Sequence, residues 1–398
     1  MLISLRKNRY HEIVIFCLLL ANILNLFVDR SGNEGGRQVV QLLNGFALVV
    51  SFVANFTHNY RHPHCFNYLK LFAYLFAAHF LVYVIHPYNS YVNTGNYIRL
   101  ALSLNLLLLF SSYFNGDYKI RLLQLYVITF VIQSLKKIVS GHWFDAIGSD
   151  DFIGGGDTVS IGLVFCIPIL FVIFRAKISF VLFVVCAVFV LLSLRRTSII
   201  ALILLIPYLS QYLKQHLNKK NILICVAFAA VIGYFMWGYA GSSLTSRFLS
   251  LINGDTNYSA ASGSYGSGRS LFWMALLKES VSSIRVTVGY GLGSVHEFFS
   301  CHWTSALSHA HSDILEILHT FGIVGLLLWS MFFYSICRYT KKFKKSAAKV
   351  LLKGCLLSYT FVAIATGTIL RAEFFPMAIT IPLLIDCMES NRPFPVSR

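Results

Sequence analysis

Apolar residues gather into stretches at roughly 13–28, 38–56, 71–86, 98–113, 122–135, 158–174, 178–194, 199–213, 222–237, 314–336, 350–370 and 374–388. A helix needs about 20 apolar residues to cross a bilayer's hydrocarbon, and slightly shorter runs serve when a helix is interrupted. None of these stretches alternates apolar with polar in the ten-residue pieces of a barrel strand. The pattern therefore predicts an all-α polytopic membrane protein of about 12 transmembrane helices, with residues 1–398 forming a single integral membrane domain. The opening Met1-Leu-Ile-Ser-Leu-Arg-Lys leads into the first run without a small-residue cleavage site, which reads as a retained span. One polar connection is large, 238–313, with a Gly/Ser/Tyr tract from Gly254 to Gly268 and an amphipathic helix expected near 269–280. That helix carries Phe272, Trp273, Leu276 and Leu277 on its expected apolar side, suiting a membrane interface. A smaller connection near 136–157 holds Asp145, Asp150, Asp151 and Gly154-Gly-Gly156, and its glycines favour a turn over a cation site.

Composition agrees: 57% of residues are hydrophobic, 12% are charged, and the mean hydropathy is +0.67, more apolar surface than a soluble domain this size could bury. Lys and Arg then set the orientation, because basic residues accumulate on the cytoplasmic side. With the amino terminus inside, cytoplasmic connections receive 20 of the 33 basic residues and outer ones 12, so both termini are expected in the cytoplasm. The net charge of +17 is then topology rather than a nucleic-acid footprint, and Arg338 to Lys349 reads as a solvated loop beside anionic headgroups. Cys17, Cys166, Cys186 and Cys225 sit in apolar runs without zinc or iron–sulfur spacing, so no metal site is expected.

The twelve outer basic residues run against topology, and several therefore invite a functional reading. Arg195 and Arg196 interrupt what would otherwise be one helix of about 36 residues, roughly 54 Å long, so the chain must turn there and leave both guanidiniums near the outer surface. Arg269 opens the amphipathic helix, and Arg371 lies between the last two spans beside Glu373, a ready ion-pair partner. The stretch Ser308–Trp329 changes from polar, with His309, His311, Ser312 and Asp313, to apolar. Leu315, Leu318, Gly322 and Gly325 follow His311 at steps of four and three, so they are expected on one face where glycines admit a neighbouring helix. Before it, Val288-Gly-Tyr-Gly-Leu-Gly293 lacks the βαβ setting of a nucleotide fingerprint and reads as a turn bringing the chain back toward His311. Several guanidiniums with one imidazole suit a lipid-borne diphosphate leaving group and an attacking hydroxyl.

At these residues the chain resembles the O-antigen ligase and polymerase superfamily of membrane glycosyltransferases. The ligase motif is His, then Asn, Ser or Gln, nine residues, Gly, two residues, and Gly, Thr or Tyr; His311, Ser312, Gly322 and Gly325 meet it. Arg196-Thr-Ser is similar to the family's arginine segment at a helix end, with Arg195 replacing its first residue, and Gly268-Arg269 is similar to its Gly-x-Arg region. The resemblance implies inverting transfer without a metal or other cofactor, from an undecaprenyl-diphosphate-linked glycan, on the periplasmic face of a bacterial inner membrane. Arg196 and Arg269 would bind the diphosphate and His311 would activate the acceptor hydroxyl; Arg195 and Arg371 join the diphosphate set by position. A ligase uses lipid A core oligosaccharide as acceptor, and a polymerase uses a second lipid-linked repeat. The complete His311 motif and the single large outer loop favour the ligase. A polytopic transporter fits less well, because the halves show no repeat and no acid-rich site lies at mid-membrane.

Overall fold

The computed structural model describes residues 9–27, 34–57, 63–85, 94–111, 117–139, 158–193, 196–216, 234, 269–302, 310–344 and 346–389. Within them the elements are helical, and no strand occurs. In chain order they are α1 (Arg9–Phe27), α2 (Glu34–Thr57), α3 (Asn67–Ile85), α4 (Thr94–Phe110), α5 (Asp117–Val139), α6 (Thr158–Ile173) and α7 (Ala176–Leu192). They continue with α8 (Arg196–His216), α9 (Arg269–Ser282), α10 (Ser294–His302), α11 (Asp313–Thr340), α12 (Ala347–Ala365) and α13 (Phe375–Glu389). Every apolar stretch named above carries one of these helices, except 222–237, which lies outside the described residues apart from 234. Five described helical segments are long and apolar enough to cross a membrane: Arg9–Phe27, Gln38–Asn55, His64–Ile85, Asp313–Thr340 and Ala347–Ala365. Four shorter apolar helices accompany them. The tract 254–268, the connection 140–157, His309 and Cys225 lie outside the described residues.

Two helices form the centre. In α6, Ile161 to Ile173 are buried in every direction, and in α13 the same holds from Phe375 to Ile385, as expected of helices apolar all round. Around them α13 packs on α4, α6 and α12, α8 packs on α12, and α3 packs on α11. The outer helices turn apolar side chains outward, such as Leu42, Phe46 and Val49 of α2 and Leu71, Leu81 and Val82 of α3. Exposed apolar surface on this scale is stable against lipid rather than water.

The long run is divided into two helices, as the sequence required, with Arg195 itself outside the described residues. Helix α7 ends at Leu192, Ser193 closes it with its hydroxyl donating to the Val190 carbonyl at 2.7 Å, and α8 starts at Arg196. Helices α8 and α12 run antiparallel, since Gly354 meets Leu205 and Tyr208 while Ser358, one turn later, donates to the Ala201 carbonyl at 2.9 Å.

Candidate functional site

The start of α11 is assembled by contacts reaching far along the chain. His311 takes a left-handed backbone conformation, φ 53°, which is uncommon for a residue with a side chain and turns the chain sharply into the helix. Ser312 follows in extended conformation as the N-cap, and its hydroxyl donates across to the Ala363 carbonyl of α12 at 3.3 Å instead of capping its own helix. Asp313 is buried, and its carboxylate gathers the connection between α12 and α13. Oδ1 accepts from the backbone N–H groups of Thr368 at 2.6 Å and Ile369 at 2.9 Å, while Oδ2 accepts from the Tyr359 hydroxyl at 3.3 Å and the Thr368 hydroxyl at 3.4 Å. Gly367, at φ +70°, makes this clasp possible: a Cβ there would stand 3.0 Å from the Ser312 nitrogen. Arg371 comes next, as the N-cap of a short 3₁₀ turn, Ala372–Phe374, and its charge acts on Glu316 of α11.

The residue before His311 is held just as firmly. The Ala310 N–H donates to Glu316 Oε2 at 2.7 Å, and the Ala310 carbonyl accepts from Trp273 Nε1 at 2.9 Å. Both sides of one peptide neighbour are thus fixed, one by α11 and one by α9. The expectation that Phe272, Trp273, Leu276 and Leu277 share one apolar face of α9 needs correcting. Leu276 is fully buried with Phe272 packed beside it, whereas Leu277 faces outward with Met274 and Val281. The helix is apolar on two sides, one for protein and one that suits lipid. Trp273→Phe keeps the ring and removes the donor, leaving the Ala310 carbonyl unsatisfied. A stability loss of about 1–2 kcal/mol is expected in the folded protein, read as a lower melting temperature, together with slower glycan transfer.

Gly322 and Gly325 do not form the shared packing face expected of them. Gly322 breaks α11, at φ 67° and ψ −169°, and the backbone of the Gly-rich turn enters the gap. The carbonyls freed by the break accept from Tyr290 N–H (His319 O, 2.9 Å) and Gly291 N–H (Thr320 O, 3.0 Å), and the Val324 N–H donates to the Thr287 carbonyl at 3.1 Å. Three intermolecular-like backbone bonds thereby replace those the helix gives up. A Cβ on Gly322 would lie 2.4 Å from the Thr287 oxygen, and one on Gly289 would lie 2.3 Å from the Thr320 oxygen. A Cβ on Gly325 would lie 2.3 Å from Phe321 Cβ of the same helix and 3.6 Å from Leu75 of α3, so of the two glycines it is Gly325 that serves a helix approach. The turn expected at 288–293 is present, with positive φ at Gly289, Gly291 and Gly293, and it returns the chain to α11 two turns beyond His311.

The arginines are distributed as follows. Arg371 acts electrostatically on Glu316, as given above. Arg269 is the first residue of α9, one turn from Trp273 and therefore about 6 Å along the axis from the residue that grips Ala310. Arg196 is the first residue of α8; with Ala201 opposite Ser358, the antiparallel register sets Arg196 level with Ala363, the acceptor of the Ser312 hydroxyl. The side chains of Arg196 and Arg269, and all of Arg195, lie outside the described residues. His319 was not singled out by the sequence, yet it is buried, its Nδ1 is 2.9 Å from Ser280 Oγ, and its ring stacks on Tyr290 at 4.7 Å and 3°. Arg285 covers the other partner of that stack, 5.5 Å from the Tyr290 ring centre. Nothing in the local pattern around His319 marked it, because its partners lie 29 and 39 residues away.

Apolar helices long enough to cross a bilayer, packed around a buried polar helix start, point to a multi-pass membrane protein with a candidate site at that helix start. Residues 181–330 match a family model described as O-antigen ligase, a match that supports the O-antigen ligase and polymerase superfamily of membrane glycosyltransferase-like enzymes for this part of the chain. The matched segment runs from α7 to the far side of the Gly322 break, so it includes Arg195, Arg196, Arg269, His311, Gly322 and Gly325 but not Arg371. No curated protein matches the chain.

Proposed function

We propose that this protein is an O-antigen ligase, a metal-independent inverting glycosyltransferase of the inner membrane. It would move a polysaccharide from undecaprenyl diphosphate to lipid A core oligosaccharide on the periplasmic face. His311 accepts the proton of an acceptor hydroxyl, and that oxygen attacks the anomeric carbon of the donor sugar. The bond between that carbon and the diphosphate oxygen breaks on the opposite face, so configuration inverts and undecaprenyl diphosphate leaves. Arg196, Arg269, Arg195 and Arg371 take up the charge that develops on the leaving group, which guanidiniums do in a bidentate manner.

One observation carries this reading. His311 is held at a left-handed turn whose preceding residue is bonded through both its N–H and its carbonyl, and whose following acid clasps the connection leading to Arg371. Such fixing of the backbone on both sides of a base supports catalysis by orientation more than it supports a passive helix cap. Joining two lipid-linked repeats, the polymerase reaction, would use the same donor chemistry and differs only in the acceptor. Complementation separates them. Expression in a strain lacking its own ligase is expected to restore polysaccharide on lipid A core; rescue of a polymerase-deficient strain alone would reverse the assignment.

A further inference from the structure

A second polar feature lies at the end of the bundle that carries His311, on the far side of the Arg371 connection. It is a cavity of about 170 Å³ between α1, α2, α4, α5, α6 and the 3₁₀ turn at Ala372–Phe374. Asn22, Asn25, Asn44, Gln133, Arg99 and Glu373 line it. Glycan transfer as described above does not use it. Four carboxamides on membrane helices are costly unless they have partners, so such a group points to a role. Asn22 sharpens the point: it is 9% exposed, and its amide nitrogen has no hydrogen-bond partner. Arg99 is oriented by its Nη1 donating to Asn96 Oδ1 at 3.1 Å.

The chemistry of the lining selects among ligands. One guanidinium and one carboxylate cancel, so the cavity has no net charge with which to hold a phosphate or a cation. Carboxamides offer a donor and an acceptor side by side, the complement of neighbouring hydroxyl groups on a sugar ring. Phe130 and Val159 add an apolar wall for a ring's C–H face. Gly162 leaves room for that wall, because a Cβ there would come 2.7 Å from Phe130 and 3.3 Å from Glu373. For scale, a cavity of about 150 Å³ accommodates one benzene molecule, so the space suits a single sugar ring. Glu373 lies two residues after Arg371, which ties the cavity wall to the diphosphate side of the site.

We propose that this cavity is a subsite for one uncharged sugar ring of the glycan substrates, set beside the site of transfer by the shared 371–373 connection. The proposal rests on the glycan-transfer reading. The ring could belong to the lipid-linked donor or to the acceptor saccharide, and kinetics tell them apart. Full-length protein in lipid nanodiscs would be assayed with undecaprenyl-diphosphate-linked glycan and acceptor oligosaccharide, comparing wild type with Asn22→Leu and Gln133→Leu. KM for one substrate is expected to rise about tenfold, the donor's if the ring is the donor's and the acceptor's otherwise. Affinity for undecaprenyl diphosphate alone should not change, and the melting temperature of Asn22→Leu should hold or rise, because an unpaired amide has been replaced by an apolar group of similar size. Unchanged KM for both substrates in both variants would overturn the subsite, as would a matching loss of undecaprenyl diphosphate affinity. Wild-type protein that transfers nothing removes the glycan-transfer reading and the subsite with it.

Discussion

His311→Ala is expected to lower the rate of glycan transfer by about 10²–10⁴-fold while the protein still inserts and still binds undecaprenyl diphosphate. The imidazole is assigned to the proton of the attacking hydroxyl, a task with no part in holding the leaving group. The fall should therefore appear in kcat, with little change in KM for the donor. A structural role predicts a different pattern, in which stability and activity fall together. His311→Gly distinguishes the two further. At φ 53° glycine carries no Cβ penalty, so this variant should be more stable than His311→Ala by about 0.5–1 kcal/mol, and equally inactive. Transfer at the wild-type rate in either variant would remove His311 from the mechanism.

Gly322→Ala is expected to be, with Gly289→Ala, among the most damaging single methyl additions at the described glycines. The added carbon would stand 2.4 Å from the Thr287 oxygen and 2.5 Å from the Gly289 nitrogen, both backbone atoms that no rotamer change can move aside. The backbone conformation at Gly322, φ 67° and ψ −169°, essentially reserved to glycine, adds about 1–3 kcal/mol. Together with the loss of the three backbone bonds between the Gly-rich turn and α11, a cost above about 4 kcal/mol follows. The expected result is a sharp fall in folded protein and in glycan transfer, with faster amide exchange at 287–291 in whatever folds. Gly291→Ala is the comparison: its Cβ would find only His79 Nδ1, at 3.9 Å, so it carries the conformational penalty alone. Equal stability of the two variants would contradict the insertion of the turn into the broken helix.

The two glycines also show where sequence reading reaches its limit. The apolar stretches were legible because hydrocarbon thickness dictates their length, and the division between α7 and α8 was legible because a straight helix would be too long. The spacing of Gly322 and Gly325 was equally visible, but steps of three and four imply a continuous helix. A glycine that ends a helical path leaves the same letters as one that packs on a neighbour. The matching signal was the second glycine cluster at 289–293, whose backbone needed somewhere to dock. Asp313 was visible as an acid at a helix start, suited to the dipole. Its partners Thr368 and Ile369 lie 55 and 56 residues on, and only tertiary structure turns it into a clasp. Asn22, Asn44 and Gln133 each stand within apolar runs, and their convergence on one cavity depends on three separate helices meeting.

The most direct measurement reconstitutes the purified chain in nanodiscs with an undecaprenyl-diphosphate-linked glycan and lipid A core oligosaccharide, following both products by mass spectrometry. Wild-type protein should release undecaprenyl diphosphate in step with glycan joined to the acceptor through an inverted linkage, and Arg269→Ala should weaken donor binding. Undecaprenyl diphosphate that stays glycan-bound with every acceptor offered, or product formed undiminished by both Arg269→Ala and His311→Ala, would contradict the account.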